Sequence, residues 1–173
     1  MAGVLALAPR LGEGVVPWRD QAAAREAGKR WLTDSLGTAA RGDGAVFVAV
    51  EAIASTRADS AAAGRLGTGQ DALARGAGDG SGAAGEKIAG VISIRQVTHF
   101  TGERDGYVGE LAVAASAVRQ GIGRALVGAA REWAAARGLV NLTLHTGAYN
   151  TRAREFYTAL GFRMEEVRLT LPL

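Results

Sequence analysis

Two glycines one residue apart, Gly121 and Gly123, stand where a strand pattern gives way to a helix pattern, in the run Arg119-Gln120-Gly121-Ile122-Gly123-Arg124-Ala125-Leu126. A turn of this kind can bind an anion. Free backbone N–H groups at the helix start point outward, and the helix dipole adds positive potential. Without a Cβ, each glycine lets a phosphate come close to the backbone. A dinucleotide turn would carry a third glycine where Leu126 stands, so a dinucleotide is not expected. Taken alone, the segment is equally compatible with a tight strand-to-helix turn that holds no ligand.

Few other side chains offer chemistry. The chain has no cysteine and two histidines, His99 and His145. That excludes a disulfide framework, a thiolate zinc site, a cysteine nucleophile and a multi-histidine metal site. No carboxylate spacing suggests a metal either, so none is expected. The formal net charge is +3, from 20 basic and 17 acidic residues, with no Lys/Arg-rich run. Charge therefore gives no reason to expect nucleic acid or an anionic membrane as partner. The first eight residues are apolar, but the stretch is short and lacks a basic leader, and no apolar run nears the ~20 residues that span a bilayer. A soluble, cytoplasmic protein is expected.

With 173 residues, 48% of them apolar, the chain suits one domain with a real core. Helical patterning runs from Pro17 to Leu36, with Gly28 a point where it can split, and with Trp18, Trp31, Leu32 and Leu36 as core contacts. Ala45 to Val50 reads as a buried strand. From about 55 to 86 Gly, Ala and Ser dominate, which predicts a flexible surface insertion; no Gly-x-x-x-x-Gly-Lys-Ser/Thr loop occurs there. Ile88 to Arg95, extending toward Phe100, and Tyr107 to Val113 read as a hairpin turning at Thr101–Gly106. Leu126, Val127, Ala130, Trp133 and Ala134 share one face of the helix after Gly123, which Gly138 ends. A strand from Leu139 to Thr146, a helix from Thr151 to Leu160 and one or two closing strands from Phe162 to Leu171 complete the pattern. Before Pro17 the best strand candidate is Val4 to Leu7.

The run from Leu111-Ala112-Val113 to Gly121-Ile122-Gly123, followed by Asn150-x-x-Ala153-x-x-Phe156-Tyr157-x-x-Leu160-Gly161-Phe162, resembles the GNAT N-acetyltransferases. The resemblance covers Ala45 to the C-terminus apart from the insertion. It departs at Val118, where the family usually has Gln or Arg. It implies an α/β fold: a mixed, mostly antiparallel, twisted sheet flanked by helices on both faces. It further implies transfer of acetyl from acetyl-CoA to a primary amine, by direct attack through a tetrahedral intermediate.

Site roles follow from the same resemblance. The strand ending at Val113 and the strand through Leu142 and Leu144 would splay, and the pantetheine arm would lie along the open edge of Leu111, Ala112 and Val113. The N–H of Val113 would face the thioester oxygen as charge develops on it. Arg119, Gln120, Gly121, Gly123, Arg124 and Ala125 would hold the pyrophosphate, and Asn150 would contact the cofactor. Tyr157 would be the general acid and Glu110 the base or ammonium-binding carboxylate. Read without the family, Tyr157 is an aromatic core residue, Asn150 a helix cap and Glu110 a solvated strand carboxylate. His145 reads first as an exposed strand-end residue, with lining of the acceptor site as the alternative, and His99 as structural. The acceptor would be a small-molecule or peptide amine, and a homodimer is an assembly the family allows. Two rival readings are a non-catalytic acyl-CoA sensor on this scaffold and an interaction module without cofactor.

Overall fold

A computed structural model describes residues 2–51, 66–68 and 87–171. The elements in order are α1 (Ala2–Leu5), a 3-10 segment (Ala8–Gly14), α2 (Gln21–Ala40), β1 (Gly44–Glu51), β2 (Leu66–Thr68), β3 (Lys87–Thr98), β4 (Arg104–Val113), a short 3-10 turn (Ala115–Ala117), α3 (Ile122–Ala135), β5 (Leu142–Leu144) and α4 (Thr151–Thr158). The strands form one sheet in the order β2-β1-β3-β4-β5. All neighbours are antiparallel except β4 and β5, which run parallel. This is the mixed, mostly antiparallel α/β arrangement expected.

Period-two alternation divides the core into two layers. Val46 and Val48 of β1, Val91 of β3 and Ala112 of β4 pack with Val4, Leu7, Ala8 and Leu32 beneath α1 and α2. Phe47, Ile92, Ile94 and Val108 turn the other way, against Leu126, Val127, Ala130 and Ala134 of α3. Leu32, Ile92 and Leu126 are sealed from solvent, and each contributes roughly 1.5–3 kcal/mol by burial. The α3 face matches its sequence pattern, with Trp133 at its half-buried margin.

Several expectations need correction. α2 is one helix: Asp20 caps it through the N–H groups of Ala22 and Ala23, at 2.8 and 3.0 Å. Gly28 does not split it. A Cβ there would stand 3.1 Å from the Ala8 carbonyl oxygen, so this glycine lets the N-terminal segment lie against the helix. Leu32 and Leu36 join the core, but Trp18 and Trp31 are 56% and 48% exposed. The Val4–Leu7 stretch begins as helix, in keeping with its Ala and Leu content. β5 is three residues long, shorter than Leu139–Thr146. From Phe162 to Leu171 no strand forms; Val167, Leu169 and Leu171 alternate as a strand would but are 73–89% exposed, because no partner strand lies beside them. The flexible insertion expected at about 55–86 lies outside the described residues, except that Leu66–Thr68 pairs with β1 as an edge strand. No described helix is long and apolar enough to cross a membrane.

Candidate active site

The site is organised by a break in the β3–β4 ladder. Ile94 pairs with Val108 and Ile92 with Leu111, so two residues of β4, Gly109 and Glu110, stand opposite the single Ser93. Such a bulge re-aims a side chain. Val108 and Leu111 both join the α3 layer, while Gly109 and Glu110 line the α2 side. Ser93 fills the bulge from inside: its Oγ accepts the Glu110 N–H at 3.1 Å and donates to Glu110 Oε2. Ser35 of α2 donates to the same oxygen at 2.8 Å. Glu110 is therefore buried, not the solvated strand carboxylate that is the alternative. It borders a cleft of about 430 Å³ that also meets Trp31, Asp34, Arg95, Tyr107 and His145. Burial raises the Glu110 pKa, against the opposing pull of the Ser93 and Ser35 hydroxyls.

The other face of the site is a strand edge that β5 leaves unpaired, beside which the N-terminal segment runs, with Gly14 against Gly147 and Asn150. Pairing between β4 and β5 runs only from Gly106 with Leu142 to Val108 with Leu144, while β4 continues to Val113. Arg10 Nε donates to the Val113 carbonyl at 3.2 Å, whereas the Ala114 N–H goes to Ala89 of β3 at 2.8 Å. A strand residue's N–H and C=O point the same way, so the Val113 N–H, like that of Leu111, is directed away from β3. Ala112 instead faces β3 and is buried; of the three strand residues expected at the cofactor, only Leu111 and Val113 turn their main-chain N–H groups toward the unpaired edge. Beyond the strand, Gly121 sits at the N-cap of α3 with φ +80° and no side-chain cap. A Cβ on Gly121 would meet nothing within 4 Å, so the space before the helix mouth is open. Arg119 also takes positive φ, 64°. Arg119, Gln120, Arg124 and Ala125 are exposed around the turn, and Gly123 is half-buried against Phe156. Bare N–H groups, an accessible approach and flanking guanidinium groups are what a diphosphate requires.

Residues 70–162 match the sequence description Acetyltransferase (GNAT) family, just over half of the chain. The chain belongs to the GNAT family. Among solved structures, a Pyrococcus furiosus protein is 17% identical to this GNAT chain, with 99% of this chain and 93% of that one covered and a TM-score of 0.62. An aminoglycoside acetyltransferase from an uncultured soil metagenomic sample is 19% identical over 99% and 91% of the two chains, with a TM-score of 0.53. A Bacillus halodurans protein is 27% identical over 53% of this chain, which spans only 62% of that protein's length (TM-score 0.49). No curated protein matches the chain.

The remaining residues assigned to the GNAT site fall on α4. Asn150 is its N-cap, with Oδ1 accepting the Ala153 N–H at 3.1 Å. Tyr157 packs between Phe156 and Phe162, at ring-centroid separations of 5.1 and 5.4 Å. Its phenol, which has no hydrogen-bond partner among the described residues, is pushed up to about 12 by burial. His145 Nδ1 lies 3.1 Å from the Tyr107 hydroxyl at the cleft rim. His99 stays in the β3–β4 turn, 2.7 Å from the Thr101 hydroxyl and away from the cleft. Sequence reasoning missed Ser35, Ser93, Arg95 and Arg10. Ser93 left a trace, a hydroxyl between Ile92 and Ile94 in an otherwise apolar strand core; the others left none.

Two expected results follow from the buried carboxylate. The folded protein holds the Glu110 proton more tightly than the unfolded chain does, so stability is greatest with it bound and falls as pH rises from the ordinary 4.5 through the raised folded value. In Glu110→Gln this decline should vanish from a series of melts taken across that range; an unchanged slope would mean that Glu110 is ionised as easily folded as unfolded. Ser93→Ala removes the acceptor of a buried N–H and one donor to the carboxylate. It should cost about 1–3 kcal/mol in denaturant unfolding and move the Glu110 titration further up.

Proposed function

We propose that this GNAT protein is an acetyl-CoA-dependent N-acetyltransferase, moving acetyl to a primary amine by direct attack through a tetrahedral intermediate. One observation carries the reading: past Val108 β5 leaves the β4 edge unpaired toward the uncapped start of α3, with the Arg10 side chain at the Val113 carbonyl, and the same few residues present Glu110 to a cleft on the α2 side. Acetyl-CoA, when bound, supplies an acetyl group activated as a thioester. Leu111 and Val113 would align its arm by main-chain hydrogen bonds, and the residues from Arg119 to Ala125 would hold its diphosphate. Asn150 at the start of α4 would border it.

Glu110 Oε2 is engaged by two hydroxyls, which leaves Oε1 to accept the proton of the incoming ammonium, directly or through a water. The Val113 N–H would stabilise the oxyanion. Tyr157, held fully protonated by its burial, would donate a hydrogen bond to the departing sulfur. A phenol near 12 lies well above a thiol near 8.5, so stabilising the thiolate in place is favoured over outright proton transfer. Release of free thiol should therefore depend on both acetyl-CoA and an amine, in a screen spanning aminoglycosides, polyamines, amino acids and peptide N-termini. Saturable acetyl-CoA binding with no turnover on any of them would point to an acyl-CoA sensor, and no binding at all to an interaction module.

A further inference from the structure

We infer that the acceptor is an amine bearing its own carboxylate, an amino acid with an apolar side chain, whose carboxylate is held by Arg95 and whose ammonium is held by Glu110 and Asp34. This rests on the acetyl-transfer reading and specifies what enters its cleft.

The two walls of the cleft are built from different elements. Trp31, Asp34, Ser35 and Thr38 follow the i, i+3, i+4, i+7 spacing of one helix stripe, and all four line the cleft from α2. The sheet supplies Arg95 and Tyr107, directly opposed in the β3–β4 register, with the Arg95 guanidinium carbon 4.9 Å from the Tyr107 ring centroid. That contact orients the guanidinium without neutralising it. Among the described residues no ion pair involves Arg95 or Asp34. The cleft thus holds one cation, Arg95, and two carboxylates, Asp34 and Glu110, with Arg95 in direct ion-pair contact with neither.

Spacing fits a small zwitterion. Arg95 is two residues beyond Ser93, the residue that anchors the Glu110 carboxylate, which is about 7 Å along the strand. The guanidinium reaches part of that span, and a ligand with opposite charges a few bonds apart fills the rest. A polycation would satisfy Asp34 and Glu110 but would set a second positive charge against Arg95. A simple amine would bring no carboxylate for the Arg95 guanidinium to bind directly. Trp31, 48% exposed, gives the acceptor's side chain an apolar surface.

The test compares phenylalanine, phenylalaninamide, phenethylamine and spermidine as acceptors with saturating acetyl-CoA. Phenylalanine should lead in kcat/KM by roughly 10- to 100-fold, the effect of one charge-assisted hydrogen-bonded contact. In Arg95→Gln that ratio should collapse toward unity, Arg95→Lys should restore part of it, and Arg95→Glu should shift preference toward spermidine. A merely structural Arg95 would lower all acceptors together and keep their ranking. That result, or a wild-type protein that uses the amide or spermidine as well as phenylalanine, overturns the assignment. Melting shifts of the CoA-saturated protein with the same compounds read binding without turnover. If no acceptor is acetylated yet phenylalanine alone stabilises, the acetyl-transfer reading fails and the zwitterion site stands; if none stabilises and none reacts, both fail.

Discussion

Gly121→Val should weaken acetyl-CoA binding by roughly 100-fold or more while the protein still unfolds in one cooperative transition. Gly121 has φ +80° at the N-cap of α3. A non-glycine residue in that conformation costs about 1–2 kcal/mol, and a β-branched one more. Packing does not resist the change, because a Cβ at this position would meet no atom within 4 Å. Folding therefore survives with a modest fall in Tm. The same open space is where a phosphate would approach the N–H groups that begin the helix, and the valine methyls would stand in it. Gly121→Ala should fall between the two. Calorimetric titration with CoA checks the effect, and circular dichroism checks the fold. Wild-type affinity in a folded valine variant would remove the diphosphate from this turn.

The second large effect is expected at Tyr157. Tyr157→Phe should lower kcat by about 10²-fold or more, the usual scale for losing one hydrogen-bond donor to charge that develops in the transition state, and should change cofactor affinity little. The phenol has no protein hydrogen bond to lose among the described residues, and its ring keeps both aromatic neighbours. Stability should hold or rise slightly, since a half-buried hydroxyl is replaced by hydrogen. Steady-state kinetics beside a melt separates the two effects. Unchanged turnover would return Tyr157 to a packing role, whereas equal losses in stability and rate would mean that the hydroxyl supports the helix.

Those two residues were legible in the sequence for different reasons. Gly121 and Gly123 interrupt an apolar pattern where only an unusual backbone or a close approach needs glycine. Tyr157 is visible through its place in a longer motif that the GNAT family shares. The central strands and α3 were legible because buried elements repeat with a clean period. The closing strands expected from Phe162 to Leu171 failed because alternation shows which residues would share a face but not which strand would lie beside them. Trp18 and Trp31 were assigned to the core by size, yet a large ring also serves on a rim. The hydroxyls that hold Glu110 come from α2 and β3, 75 and 17 residues away, and no local pattern encodes a contact of that range.

The doubled position opposite Ser93 makes β4 a strand of two parities. Before it, the even-numbered residues Gly106 and Val108 turn toward α3; after it, the odd-numbered Leu111 does. Deleting Gly109 would merge the halves into one phase. Glu110 alone would then face Ser93, and Val108 and Leu111, now two residues apart, would keep both their shared layer and their pairing with β3; what would go is the local bend that aims the carboxylate. The extra residue is thus a joint: it leaves the layers on either side of the strand in place and turns the carboxylate to where Ser93 and Ser35 meet it.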